Sequence, residues 1–229
     1  MTEGANKEFL NNPRSFLRNN ALIVSLQQKV QLVGLQVGAD PVKYTSGQCL
    51  TVNIERDPDN GAQKSDGRTT NCYRVVEASG IASKYSHRFT AYYLPFRSNA
   101  VRVMNLNPAN FGGQDADVFF TDTLNGCSVA VGPGANPKIG HFNRTVGGND
   151  EAGIDPAAIT NDINQEFAGG TLYRVDRNDY KTDTADYATF LGIKTNGVWR
   201  FYWQKMSWAG NTKMGKLYKL APNMPTLVT

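Results

Sequence analysis

Short apolar runs, several of them alternating with polar residues, recur along most of this chain. The clearest alternation sets Leu50, Val52 and Ile54 against polar neighbours over residues 49–55. A period of two is typical of a strand with one buried face. Comparable runs predict further strands at residues 21–26, 30–37, 72–76, 88–94, 100–104, 117–121, 171–176, 198–204 and 216–220.

Helix signals are fewer than strand signals. Asp155 can cap a helix that has Pro156 at its first position, and the glycine pair at 169–170 ends it. Its apolar residues recur at every fourth position: Ile159, Ile163 and Phe167. A second helix is predicted around residues 16–17, and the polar, Gly- and Pro-containing residues 57–68 are predicted to form a surface loop.

These elements predict an α+β fold, a β-rich single domain over residues 1–229 with two packed mixed sheets and flanking helices. A chain of 229 residues is long enough to bury one substantial core. No apolar run is long enough for a membrane span, and the first residues lack the basic-then-apolar order of a secretory signal peptide. We therefore expect a monomer with no membrane span and no signal peptide.

The three cysteines, Cys49, Cys72 and Cys127, cannot all pair within one chain, and they form no Cys-x-x-Cys motif. This favours a reducing compartment and free thiols, although a Cys49–Cys72 disulfide stays open as the less favoured alternative. The only histidines, His87 and His141, have no partner at metal-ligand spacing. We expect neither a metal nor a cofactor.

Cys127 and His141 stand at the two ends of a short segment that contains a turn. The residues after Cys127 and around His141 are strand-like, and residues 132–137 between them are rich in Gly and Pro. An antiparallel hairpin that pairs Val129 with Ile139 also pairs Cys127 with His141. Directly opposed side chains lie about 4.5–5.5 Å apart at Cβ, whereas a slip of one residue would place them on opposite faces.

A thiol beside an imidazole is the minimum equipment for nucleophilic attack on a carbonyl or carboxamide, since a histidine can activate a mostly protonated thiol. Thr121 can orient the imidazole through its hydroxyl or its carbonyl. Gly126 allows close approach of a substrate, and the Cys127 amide can donate to a developing oxyanion. The alternative is structural, because lone cysteines and histidines are usually core residues.

Three segments resemble, in order and approximate spacing, the core of the cytotoxic-necrotizing-factor-type glutamine deamidases. They are Tyr93-Leu-Pro-Phe96, then Phe119-Phe-Thr121 with Leu124 and Gly126-Cys127, and finally Gly140-His141-Phe142. The similarity covers about residues 91–142. The family's usual signature is Leu-Ser-Gly-Cys, and Asn125 takes the serine position in this chain. Asparagine is suited to a turn and keeps a polar side chain there.

The resemblance implies that Cys127 is the nucleophile, His141 the general base and acid, and Thr121 the orienting residue. Gly126 and Asn125 would then lie beside the reacting amide and its oxyanion. The implied activity is that of a hydrolase, converting a protein glutamine to glutamate through a thioester, without metal or cofactor.

The resemblance also implies a biological setting. It is that of a bacterial toxin or effector, a virulence factor secreted to act in the cytoplasm of a target cell. The implied host protein substrate is a translation-initiation RNA helicase, whose deamidation would inhibit translation, or a Rho-type GTPase. No residue outside the matched segments chooses between them.

The C-terminal part of the chain is basic, although the net charge is only +4. No acidic residue follows Asp186, and six basic residues accompany three tryptophans: Lys194, Arg200, Lys205, Lys213, Lys216 and Lys219 with Trp199, Trp203 and Trp208. This pattern permits a docking surface for an acidic partner. We favour an edge hairpin whose lysines prevent edge-to-edge pairing while Trp199, Phe201 and Trp203 face the core, and we expect no direct contact with nucleic acid.

Other functions are compatible with the same residues. A Cys–His peptidase would cleave the backbone, and a transglutaminase would result if an amine reached the thioester before water. A non-enzymatic interaction protein would use the basic C-terminal third. Two motif matches give little support for a function. Residues 210–216 resemble a phosphate loop, but Leu217 stands where that motif needs a hydroxyl residue. The glycosylation sequon Asn143-Arg-Thr145 is expected to be incidental.

Overall fold

The computed structural model of the chain describes residues 3–26, 44–78, 88–148, 153–181, 186–222 and 226–228. The α-helices within these residues are α1 (Glu3–Asn11), α2 (Pro13–Asn19), α3 (Pro156–Glu166) and α4 (Arg177–Tyr180), and short 3₁₀ helices lie at Pro108–Phe111 and Val146–Gly148. The strands are β1 (Ala21–Val24), β2 (Gln48–Arg56), β3 (Gly61–Gln63), β4 (Thr69–Thr70), β5 (Cys72–Glu77), β6 (Phe89–Leu94), β7 (Val101–Asn105), β8 (Val118–Thr121), β9 (Ser128–Val131), β10 (Lys138–Phe142), β11 (Tyr173–Val175), β12 (Asp186–Thr195), β13 (Val198–Asn211), β14 (Lys216–Leu220) and β15 (Thr226–Val228).

The strands form two sheets. The larger sheet has the order β1-β5-β2-β6-β8-β12-β13-β14-β3-β4, with β15 paired to β13, and it is mixed because β1–β5, β6–β8 and β14–β3 are parallel. The smaller sheet has the order β11-β9-β10-β7 and is antiparallel. The predicted α+β fold with two packed sheets and flanking helices is confirmed, although the smaller sheet is antiparallel and not mixed as predicted.

The main core lies between the two sheets. Side chains from β9, β10 and β11 of the smaller sheet meet side chains from β6, β8 and β12 of the larger one: Val129, Ile139 and Val175 against Tyr92, Phe119 and Phe190. Each sheet also has an outer cover. Helices α1 and α2 bury Phe9, Phe16 and Leu17 on the larger sheet, and α3 buries Ile159 and Ile163 on the smaller one. The layers therefore run helix, sheet, sheet, helix.

Most predicted elements are present. The strands expected within residues 21–26, 49–55, 72–76, 88–94, 100–104, 117–121, 171–176, 198–204 and 216–220 all occur. The helix at Asp155 begins as predicted, and the Asp155 carboxylate accepts a hydrogen bond from Ala158 N at 3.0 Å. The strand predicted at 30–37 lies outside the described residues. No helix among the described residues is long and apolar enough to span a membrane.

Several elements were not predicted. Strand β12 was missed altogether, and helix α1 was missed at the start of the chain. The loop predicted at 57–68 contains the short strand β3, which pairs with β14 in parallel and with β4 antiparallel. Strand β13 extends seven residues beyond its predicted end at Gln204, from Lys205 to Asn211, and a register shift between Trp208 and Gly210 interrupts its pairing with β14.

The basic C-terminal part is a core element rather than an edge hairpin. Phe201 and Trp203 are buried between the sheets and Trp199 packs against them, as predicted. The predicted edge position is wrong, because β13 pairs with β12 on one side and with β14 and β15 on the other. Among its basic residues, Lys194 forms an ion pair with Asp115 at 3.0 Å.

The predicted register of the Cys127–His141 hairpin is wrong by two residues. In the structure Val129 pairs with His141 and Val131 with Ile139. Because side chains alternate between faces with a period of two, an offset of two residues keeps every side chain on its predicted face. Cys127 and His141 therefore share the face that looks toward the larger sheet, but as diagonal rather than direct neighbours.

Candidate active site

The Cys127 thiol lies immediately before β9, at the end of the loop that follows β8. Its side chain is 3% exposed and belongs to the core between the sheets. Gly126 before it has a φ of +99°, and a Cβ at that position would lie 3.0 Å from Ile154 Cγ1. Both the positive φ and the close approach favour glycine. The Gly-Cys step therefore directs the thiol into the core.

The His141 imidazole is held by Thr121. The distance between His141 Nδ1 and Thr121 Oγ1 is 2.6 Å, and the Thr121 hydroxyl also donates to the Leu94 carbonyl at 2.8 Å. Because the hydroxyl has one hydrogen and uses it on Leu94, it accepts from Nδ1–H. The Nε2 lone pair is then left free to act as a base. Nε2 is buried and has no hydrogen-bond partner among the described residues.

The thiol and the imidazole lie on neighbouring strands of the smaller sheet. Continuing the β9–β10 register past the Ser128–Phe142 pair places Cys127 opposite Asn143 and diagonal to His141. Diagonal neighbours on one face are about 7–8 Å apart at Cα and within reach of long side chains. No hydrogen bond joins Cys127 to His141 directly in the described part of the chain.

Asn143 is the hydrogen-bond partner of the thiol. Its side chain is 4% exposed, its Oδ1 accepts from Asn99 N at 2.8 Å, and its Nδ2 lies 3.4 Å from Cys127 Sγ. Asn143 was not predicted to contact the thiol, although position 143 shares a strand face with position 141. Since both ends of the amide are engaged in the interior, the sequon at Asn143 offers no free acceptor for a glycan.

Tyr180 clamps the loop that carries the thiol. Its hydroxyl accepts from Gly126 N at 2.8 Å and donates to the Cys127 carbonyl at 2.7 Å. The side chain is fully buried at the end of α4. This bond occupies the Gly126 N–H; the oxyanion donor predicted from the sequence is the Cys127 N–H, which this contact does not involve. No local sequence signal could indicate this contact, since 53 residues separate Tyr180 from Cys127.

Burial favours the neutral forms of both the Cys127 thiol and the His141 imidazole. It raises the pKa of the Cys127 thiol to about 11, an effect that the Asn143 side chain and the Asn125 backbone partly oppose. Burial also lowers the pKa of His141 to about 3. A neutral thiol and a neutral imidazole therefore face the same interior.

A buried carboxylate, Asp122, lies directly after Thr121. It accepts from the Tyr93 hydroxyl at 2.6 Å and from Phe96 N at 2.7 Å, which fixes the segment whose Leu94 carbonyl holds Thr121. Burial raises its pKa to about 6. Asp122 was not among the predicted site residues, although a charged residue directly after an apolar strand is a usable signal.

The exposed side of the site carries Asn125. Asn125 is exposed, and its Oδ1 accepts from Lys181 Nζ at 3.3 Å. The Phe96 ring packs on the His141 ring with centroids 5.5 Å apart. Of the predicted residues, Thr121 ends β8, Asn125, Gly126 and Cys127 lie on the loop between β8 and β9, and His141 lies on β10.

All three cysteines are free, so the alternative of a Cys49–Cys72 disulfide is wrong. Among the residues that the structure describes, no group of three or more His, Cys, Asp or Glu side chains is placed to hold a metal ion. No protein-family model matches the chain, and no curated protein matches it significantly.

Proposed function

We propose that this protein is a cysteine-dependent protein glutamine deamidase. The observation that carries the proposal is the state of His141, whose Nδ1–H donates to Thr121 while Nε2 is unpartnered among the described residues. The Cys127 thiol shares its buried sheet face. An oriented base beside a thiol is the arrangement that nucleophilic acyl chemistry requires.

The first half of the reaction forms a thioester. His141 Nε2 takes the thiol proton as Cys127 Sγ attacks the carbon of a glutamine carboxamide, and the carbonyl electron pair moves onto oxygen. The tetrahedral intermediate then collapses, the carbon–nitrogen bond breaks, and the proton held by His141 leaves with ammonia. In the second half, His141 takes a proton from water, hydroxide attacks the thioester, and the thiolate leaves and is reprotonated. The product is a glutamate side chain.

Burial of the thiol supports a side-chain amide as the substrate. Cys127 is only 3% exposed, and Asn125 is the exposed residue of its loop. A slender glutamine side chain can enter such a site with less displacement of protein than a main-chain amide, which brings both its flanking residues with it. Hydrolysis of a side-chain amide therefore fits the site better than peptidase activity.

The resemblance of three segments to the cytotoxic-necrotizing-factor-type deamidases supports the same reaction. The same segments also resemble those of one member of that family, Burkholderia lethal factor 1. In the structure these segments are in contact, because Thr121 donates to Leu94 and Phe96 packs on His141. By this resemblance the protein would be a bacterial effector acting in a target cell, with a translation-initiation helicase or a Rho-type GTPase as its substrate.

The test is mass spectrometry of cell-lysate proteins incubated with wild type, Cys127→Ser or Cys72→Ser, together with ammonia release. Cys72 is the matched control, because it is also a buried free thiol. We expect glutamine-to-glutamate conversion with wild type and Cys72→Ser only. Fragmentation would favour a peptidase, new amine adducts a transglutaminase, and unchanged proteins with a folded wild type would contradict an enzymatic function.

A further inference from the structure

The side-chain amide of Asn143 has a defined orientation. An asparagine oxygen and nitrogen are normally hard to distinguish, and the hydrogen-bond network has to decide. Here the partner of Oδ1 is the backbone N–H of Asn99, at 2.8 Å, and an N–H can only meet an acceptor. The NH₂ end must therefore face the Cys127 sulfur, 3.4 Å away.

One backbone donor beside the thiol is already occupied. The Gly126 N–H donates to the Tyr180 hydroxyl at 2.8 Å, and the same hydroxyl is committed to the Cys127 carbonyl. Moving Gly126 toward a substrate would break both bonds in a buried place, which is costly. Asn143, by contrast, already points a polar hydrogen at the atom that attacks.

We propose that Asn143 is a catalytic residue that donates a hydrogen bond first to the Cys127 sulfur and then to the oxyanion formed on attack. This inference rests on the proposed deamidase function. When Sγ bonds to the carboxamide carbon, the carbonyl electron pair moves onto the oxygen attached to that same carbon. A donor already in contact with the sulfur needs only a small shift to reach that oxygen. The Asn143 side chain then donates its hydrogen bond to the oxygen that carries the negative charge.

The surroundings of Asn143 suit this role. The residue is buried, so its dipole acts where water screens little, and the Asn99 bond holds it in place before the substrate arrives. Its backbone is also fixed, because Asn143 N donates to the Ala100 carbonyl at 3.0 Å. Removing one pre-positioned oxyanion donor costs about 10²–10³-fold in rate in a well-studied protease.

The central variant is Asn143→Asp. It keeps the size of the side chain and an oxygen for Asn99 N–H, but it replaces the donor facing sulfur by an acceptor. Asn143→Asp also adds a negative charge beside the sulfur. Asn143→Ala removes the donor without adding charge, so a loss seen in both variants does not come from charge alone. The matched control is Asn20→Ala, because Asn20 is also buried and donates its side-chain amide, to the Phe16 carbonyl at 3.0 Å.

Two rates distinguish the roles. Alkylation of Cys127 by iodoacetamide reports the thiolate alone, because this displacement forms no oxyanion. The initial rate of ammonia release from cell-lysate protein reports the thiolate and the oxyanion together. We expect ammonia release to fall about 10²–10³-fold in both Asn143 variants. Alkylation at fixed pH should fall by less than tenfold in Asn143→Ala, and Asn20→Ala should match wild type in both assays if it is folded.

Parallel losses in the two assays would overturn the oxyanion role. An active wild type with an equally active Asn143→Ala would overturn the inference and leave the proposed function standing. A folded wild type that releases no ammonia would overturn the proposed function and the oxyanion role together. Circular dichroism of each variant identifies any loss that comes from unfolding.

Discussion

Cys72 and Cys127 are both buried free thiols, yet their surroundings differ. Cys72 lies among Ala62, Met206, Tyr218 and Leu220, and burial raises its pKa to about 12. Cys127 is buried to a similar degree, and burial raises its pKa to about 11. Burial and pKa therefore do not separate a structural thiol from a candidate nucleophile.

The difference lies in the polar groups around each sulfur. Beside Cys127 are an amide donor, a histidine with a free base nitrogen and a tyrosine that fixes the loop: Asn143, His141 and Tyr180. A nearby carboxylate opposes ionisation of both thiols, Asp57 for Cys72 and Asp122 for Cys127, so it does not distinguish them. The oriented donors and the base around Cys127 therefore support the proposed role of this thiol, and the predictions below test these groups and their surroundings.

Removing the sulfur should have the largest effect. Cys127→Ala should lower the rate of ammonia release by about 10⁴-fold or more, because no nucleophile remains. Cys72→Ala should keep the wild-type rate and lose only a modest amount of stability. Initial rates on lysate protein and urea unfolding of both variants check this. Equal losses in the two variants would remove the distinction between the thiols.

Removing the base should have the next largest effect. His141→Gln should lower the rate by about 10²–10⁴-fold, the usual contribution of general acid–base catalysis. Thr121→Val keeps the shape but removes the hydroxyl that selects the Nδ1–H tautomer, and it should cost about 10–100-fold. An unchanged rate in Thr121→Val, with the fold intact by circular dichroism, would show that the tautomer is set elsewhere.

Loosening the loop should cost less again. Tyr180→Phe keeps the ring but leaves Gly126 N and the Cys127 carbonyl without their shared partner. We expect a loss of about 10–100-fold in rate, by analogy with residues that orient metal ligands, whose loss costs about this much. Tyr218→Phe is the matched control, because Tyr218 packs beside Cys72. A loss of equal size in both variants would indicate a general packing defect.

The pH dependence of Cys127 alkylation should show whether the Cys127 thiol and the His141 imidazole are both neutral or form a thiolate–imidazolium ion pair. Since the pKa of Cys127 is about 11, its alkylation rate should rise about tenfold per unit between pH 7 and 10. Peptide mass spectrometry after brief iodoacetamide treatment gives this rate for Cys127 and Cys72 in one sample. A rate at Cys127 that is flat over this range would indicate a preformed thiolate and contradict the neutral pair.

The smallest effect concerns stability and pH. Burial raises the pKa of Asp122 from an ordinary 3.8 to about 6, so its contribution to stability is complete below about pH 4 and is lost as pH rises through 6. His141 has a lowered pKa, so its contribution is complete above about pH 6.5 and is lost as pH falls toward 3. The two slopes oppose each other in wild type.

Asp122→Asn should expose the slope of His141. The unfolding free energy of this variant should rise more steeply with pH between 4 and 6 than that of wild type, by at most about 3 kcal/mol over the interval. Urea unfolding at pH 4, 5 and 6 measures the difference. Parallel curves for the two proteins would show that Asp122 does not titrate in this range.

The sequence predicted strand β2 and the start of helix α3 from local patterns. Strand β2 alternates because one of its faces is partly exposed, and the capped start of α3 is a local signal. Strand β12 was missed because it is covered on both faces, so its burial pattern is continuous and lacks alternation. Helix α1 depends on tertiary contacts, such as Phe9 with Phe120 at 5.8 Å between ring centroids, which no local pattern contains.

The candidate site divides in the same way. Cys127, His141 and Thr121 come from one short stretch of chain, where strand periodicity and turn signals suffice to propose their proximity. Tyr180 and the packing of Ile154 on Gly126 join the site through the tertiary fold, so spacing could not reveal them. The hairpin register was wrong because turn residues 132–137 permit more than one loop geometry.

The two-residue offset in that hairpin says something about how such a site can vary among proteins. The Cys127 thiol, the His141 imidazole and the Asn143 amide share one face of the sheet. Sliding one strand past the other by two residues changes the cross-strand neighbours but keeps every side chain on its face, whereas sliding by one residue does not. The number of residues between nucleophile and base can therefore drift as the turn grows or shrinks. A pattern that demands a fixed Cys–His spacing would overlook such variants, whereas an even–odd rule tied to the strand pairing would recognise them.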